Sequence, residues 1–97
     1  MSRLNQIKQT LESQKKYLKV KYKIKEIGIF GSYIRGEQKK KSDVDILVEF
    51  KEAPGLFTFI EIENYLSEIL NVKVDLVMKD SLKPVIGRFI LKEVITL

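Results

Sequence analysis

The connection between two apolar runs constrains this chain more than any other feature of it. Ile24 to Phe30 is rich in β-branched and aromatic residues and reads as a short buried strand stopped by Gly31; Val44 to Phe50 repeats the pattern. Only about a dozen residues separate them, with Ser32 to Arg35 able to make one helical turn closed by Gly36 and Glu37 to Lys41 forming a polar loop. A link with so little helix suits an antiparallel return. After Pro54-Gly55 the pattern changes: Phe59, Ile62, Leu66, Ile69 and Leu70 recur at helical spacing, with Glu61, Glu63 and Glu68 mostly outward. This predicts a helix from Leu56 to a stop at Asn71, long enough for a crossover to a parallel neighbour at Val72 to Met78.

Helices are expected at both ends. Leu4, Ile7, Leu11 and Leu18 mark one face of an opening helix that Ser2 can cap and that runs to about Tyr17 or Leu18. Asp80 or Ser81 can cap a final helix with Pro84 in its first turn and Leu82, Ile86, Phe89, Ile90 and Val94 as its inner face. The expected class is therefore α/β (α+β), in the order α-β-α-β-α-β-α. Its core is a small mixed three-stranded sheet flanked by helices, one domain over residues 1–97.

In an antiparallel pair the end of one strand lies beside the start of the next, which brings Gly31-Ser32 to face Asp43 and Asp45. Side chains two apart on a strand project to one face, so these aspartates offer paired oxygens while Val44, Ile46 and Val48 point the other way. Magnesium prefers oxygen ligands and takes one or two protein carboxylates, leaving positions for water and phosphate. Asp75, in an apolar strand where a carboxylate needs a partner or a metal, could complete a second ion position about 3.5–4 Å from the first. Two such ions suit in-line displacement at phosphorus, with Asp75 the candidate base. Gly31 removes a side chain where phosphate approaches the backbone, and Ser32 opens a helical turn whose N–H groups and hydroxyl can donate to phosphate oxygens. Arg35, one turn on, can reach a phosphate or pin the loop to a carboxylate.

Composition narrows the chemistry further. The absence of cysteine excludes disulfides and thiolate zinc sites, and the absence of histidine removes the usual proton shuttle and nitrogen ligand. Catalysis would have to use oxygen ligands, Lys or Arg. The net charge of +5 attracts polyanions without choosing among nucleotides, nucleic acid and acidic proteins. A core limited to 97 residues favours burial shared with a partner or a second copy. The polar, periodic start carries no signal peptide or membrane span, so a cytoplasmic setting is expected.

Together, IGIFGSYIRGEQKKKSDVDILVEF resembles the signature of the minimal nucleotidyltransferase family within the DNA polymerase beta superfamily: G-S-x-x-R-G, a short loop, S-D-x-D and an apolar strand. The resemblance continues through GLFTFIEIENYLSEIL, VKVDLVMKD and LKPVIGRFILKEVI and so covers the chain from about Glu26. It implies a palm-like fold, with Gly31 and Ser32 as the phosphate-binding pair, Asp43 and Asp45 as the metal-binding pair and Asp75 as the third catalytic carboxylate. Ile34 stands where relatives often have a small residue. The chain is similar to the antitoxin half of HEPN/MNT toxin–antitoxin pairs, which implies transfer of AMP from ATP to a tyrosine hydroxyl of a helical HEPN toxin. The residues themselves reach metal-dependent nucleotidyl transfer and leave the acceptor open. Two other readings remain: a non-catalytic module that neutralises a partner by covering it, and a nucleic-acid-directed enzyme suggested by the basic balance and Lys39 to Lys41.

Overall fold

Ser2 begins the first helix in the computed structural model, which describes residues 2–97: its hydroxyl accepts the Asn5 N–H at 3.1 Å, and α1 runs Arg3–Tyr22. That is a turn longer than expected, because Tyr22 falls four residues after Leu18 on the same buried face. Lys23, in the left-handed conformation at φ 57, ends the helix and feeds directly into β1, Ile24–Phe30. The Tyr22 hydroxyl donates to the Glu61 carboxylate at 2.9 Å. This bond ties α1 to α3, Leu56–Leu70.

The remaining elements are α2 (Ser32–Arg35), β2 (Val44–Phe50), β3 (Val74–Met78), α4 (Pro84–Glu93) and β4 (Ile95–Thr96). The sheet has the order β3-β2-β1-β4. As the link lengths predict, β1 and β2 are antiparallel, with Phe30 opposite Asp45, and β2 and β3 are parallel, with Asp45 opposite Asp75. Val44, Ile46 and Val48 share a core with Ile7, Leu11 and Leu18 of α1 and Ile62, Leu66 and Leu70 of α3. By strand alternation Asp45 and Leu47 project to the other face.

Several expectations need correction. The sheet has four strands rather than three: β4 pairs antiparallel with β1, Gly28 opposite Thr96 and Ile29 opposite Ile95. A Cβ on Gly28 would stand 2.7 Å from Val94 Cγ2 and 2.9 Å from the Ile95 carbonyl oxygen, so this close pairing depends on glycine. A strand of two residues has no periodicity to read. The third strand starts at Val74, not Val72, because Asn71 (φ 54) closes α3 and the Val72 N–H still donates to the Ser67 carbonyl. Glu63 is not an outward residue: it accepts the Leu76 N–H at 2.8 Å while Ser67 Oγ accepts the Val74 N–H at 3.0 Å. α3 thereby satisfies the outer edge of β3 on both sides of Asp75.

The last helix also differs. A short 3₁₀ turn, Lys79–Ser81, occupies the segment expected to cap it; α4 starts at Pro84, after Lys83, and Val94 lies past its end. Its expected inner face is not buried: Ile86 is 57% and Phe89 71% exposed, whereas Gly87 packs against Leu82. The apolar side of α4 instead borders an open cleft over the sheet face that carries Asp45.

Candidate active site

Asp45 sits at the centre of the cleft because β2 is an inner strand. Its register neighbours are Phe30, just before Gly31, and Asp75. Gly31 has φ +84, and a Cβ built there would overlap the Asp45 carboxylate oxygen Oδ2. Both facts require glycine. The Gly31 carbonyl accepts the N–H groups of Ile34 (3.0 Å) and Arg35 (3.1 Å), which winds the next residues into α2. Ser32 and Tyr33 open this single turn, so their N–H groups have no earlier carbonyl within it to bond.

The cleft encloses about 500 Å³, with Gly31, Arg35, Asp45, Asp75 and Glu93 on its polar side and Phe30, Val77, Leu82, Ile86 and Phe89 on its apolar side. Asp75 is exposed on the edge strand. Asp43 lies just before β2 and outside the cleft lining, with its carboxylate 3.9 Å from Lys73 Nζ. Ser32 also lies outside the lining, next to Gly31. Lys39 and Lys40 border a different depression, shared with Arg3 and Tyr33. Tyr33 is buried and Ile34 packs against the core.

Electrostatics single out Asp45. Burial first, then the neighbouring charges of Asp75 and Asp43, push its carboxyl up to about 6, with Glu93 adding to the rise and Arg35 opposing it. A bound cation would relieve that repulsion. Among the described residues no group of three or more acidic side chains forms a ready-made metal cage. Magnesium does not require one, since it binds through one or two carboxylates plus substrate phosphates and water. Asp45 with one neighbouring aspartate would offer the one or two carboxylates that such an ion takes alongside a nucleotide's phosphates.

Arg35 does not stand free beside the Gly31-Ser32 turn. Its Nε pairs with Glu37 at 2.5 Å and its Nη1 with Glu93 at 2.8 Å, which together raise its pKa. Glu93 also accepts the Gly31 N–H at 2.7 Å. Burial alone would raise the Glu93 carboxyl, but the bonds from Arg35 and Gly31 hold it below the usual range. Nothing in the sequence marks Glu93, which reads there as one more charge at a helix end. Only the pairing of β4 with β1 brings it to Gly31.

The described residues include no helix long and apolar enough to cross a membrane. Residues 11–97 match the family model for a nucleotidyltransferase domain. A protein adenylyltransferase, MntA, of Thermococcus cleftensis is 52% identical over 95 residues, spanning 98% of this chain and 96% of that protein. The fold superposes on a solved structure assigned to the minimal nucleotidyltransferases with a TM-score of 0.80 and 29% identity, covering 100% of this chain and 97% of that one. A chain of a solved toxin–antitoxin complex with AMP-PNP gives 0.72 and 26%, covering 99% of this chain and 72% of that one. The chain belongs to the nucleotidyltransferase-domain family, and its fold is that of the minimal nucleotidyltransferases.

Proposed function

We propose that this chain is a magnesium-dependent protein adenylyltransferase that moves AMP from ATP to a tyrosine hydroxyl of a HEPN-type toxin and so acts as its antitoxin. The observation that carries the reading is the crowding of Asp45 between Gly31 and Asp75, a position where its carboxyl is pushed up to about 6 and invites a cation. Asp43 and Asp45 would hold the ion that travels with the triphosphate; Asp75, beside Asp45, would contribute to a second position and is the candidate base. A dication at these oxygens neutralises phosphate charge and makes a bound hydroxyl more acidic. Ser32 donates to phosphate oxygens from the start of α2, and Gly31 lets the chain approach them. The acceptor oxygen bonds to the α-phosphorus, the bond to the β-phosphate oxygen breaks, pyrophosphate leaves, and the hydroxyl proton passes to Asp75.

Two relatives support the adenylyl-transfer and toxin-partner parts of this reading. The Thermococcus protein is named for adenylyl transfer to protein, and the complex with AMP-PNP pairs a similar fold with a toxin and an ATP analogue. The cytoplasm is the proposed setting. For the nucleic-acid alternative, Lys39 and Lys40 border a depression other than the cleft, which leaves the net charge of +5 as its remaining motive. The covering alternative predicts that Asp43→Asn and Asp45→Asn still neutralise a co-expressed toxin. Adenylyl transfer predicts that both variants lose neutralisation and leave the toxin unmodified; full modification by either would refute the metal role.

A further inference from the structure

We propose that Glu93 is the positioning residue of the phosphate turn and that Arg35 serves this brace rather than the phosphate itself. The inference rests on the nucleotidyl-transfer reading and goes beyond it. The last paired residues of β4 and β1 are Ile95 with Ile29, so continuing the antiparallel register sets Glu93 opposite Gly31. There its carboxylate takes the Gly31 N–H on one oxygen (2.7 Å) and Arg35 Nη1 on the other (2.8 Å). One side chain thus holds both the residue before α2 and the residue that ends it. The side chain is only 19% exposed and terminates α4, where the helix dipole disfavours a negative charge, so its two donors must offset both costs. With Glu37 on its Nε as well, the Arg35 guanidinium is bonded to two carboxylates before any nucleotide enters. Gly31 is held at φ +84 against Asp45, and Ser32 remains free to donate.

Binding of an ATP analogue with a methylene bridge between its α and β phosphorus atoms, titrated with magnesium into the full chain, tests the proposal without chemistry. A brace predicts that Glu93→Ala weakens binding by about 10- to 100-fold, the range for removing a partner that orients a ligating group. Glu93→Gln, which keeps an oxygen for the Gly31 N–H, should recover most of that loss. Glu37→Gln, which leaves the Glu93 bonds to Gly31 and Arg35 in place, should lose far less than Glu93→Ala. A carboxylate that merely sat near the triphosphate would repel it, so unchanged or tighter binding by Glu93→Ala overturns the proposal. So does a loss in Glu37→Gln equal to that in Glu93→Ala. Should Glu93→Ala fail to fold, exchange of the Gly31 amide in wild type decides: protection that persists with nucleotide bound supports the brace, and protection lost on binding overturns it. Failure of wild type to bind the analogue would instead sink the nucleotidyl-transfer reading itself.

Discussion

Replacing Asp45 by Asn should make the metal-free protein more stable while removing its activity. The Asp45 carboxyl is raised from 3.8 to about 6, chiefly by burial and by Asp75, so folding favours its protonated form. A group raised in this way contributes stability that is complete below the unfolded value and is lost as pH rises through the folded one. Above about pH 6 the wild-type fold therefore carries an ionised carboxylate that it disfavours. Two pH units correspond to an upper figure of about 3 kcal/mol. Asp45 is only partly buried, and solvent screening reduces this to about 1–2 kcal/mol. For a domain of this size each kcal/mol moves the melting temperature by about 4–8 °C. Thermal unfolding followed by circular dichroism, with a chelator present, should show Asp45→Asn melting several degrees above wild type at pH 8. The gap should shrink steadily towards pH 4, and magnesium added together with a non-hydrolysable ATP analogue should narrow it by stabilising the wild type more. An Asn variant no more stable than wild type at pH 8, or one whose advantage is independent of pH, would refute the reasoning.

Three other substitutions probe separate parts of the account. Gly31→Ala forces a side chain into a φ of +84 and into the Asp45 carboxylate; it should cost about 1–3 kcal/mol in chemical denaturation and abolish transfer in a labelled-ATP assay. Gly28→Ala does not touch the cleft, yet its Cβ would push against Val94 and the Ile95 carbonyl oxygen, so it should loosen β4 and weaken nucleotide binding in calorimetry. Tyr22→Phe removes the bond to Glu61 on the far side of the sheet and should lower stability by about 0.5–1.5 kcal/mol in denaturant melts while leaving nucleotide affinity unchanged.

The parts legible in the sequence were those set by local pattern and link length. Apolar runs located β1 and β2, the short link made them antiparallel, and the long α3 made β3 parallel, which together brought Gly31, Asp45 and Asp75 to one end of the sheet. What escaped depends on contacts between distant segments. β4 is two residues long and owes its place to the missing side chain of Gly28, which no periodicity encodes. Glu93 and Arg35 are 58 residues apart, and their pairing follows from β4. The apolar spacing of α4 was visible, but periodicity does not distinguish a face buried in the core from one that walls a cleft, and Ile86 and Phe89 took the second course. Glu63 looked like solvent-facing charge until the edge of β3 supplied N–H groups for it and Ser67 to accept.

The central claim is that the cleft around Asp45 transfers AMP to a protein hydroxyl. Its most direct test is intact and tandem mass spectrometry of a HEPN-type toxin incubated with this chain, ATP and magnesium. The account predicts added mass of one or more adenylyl groups on tyrosine, dependent on Asp43, Asp45 and magnesium. A toxin that is fully neutralised yet carries no adduct would contradict it.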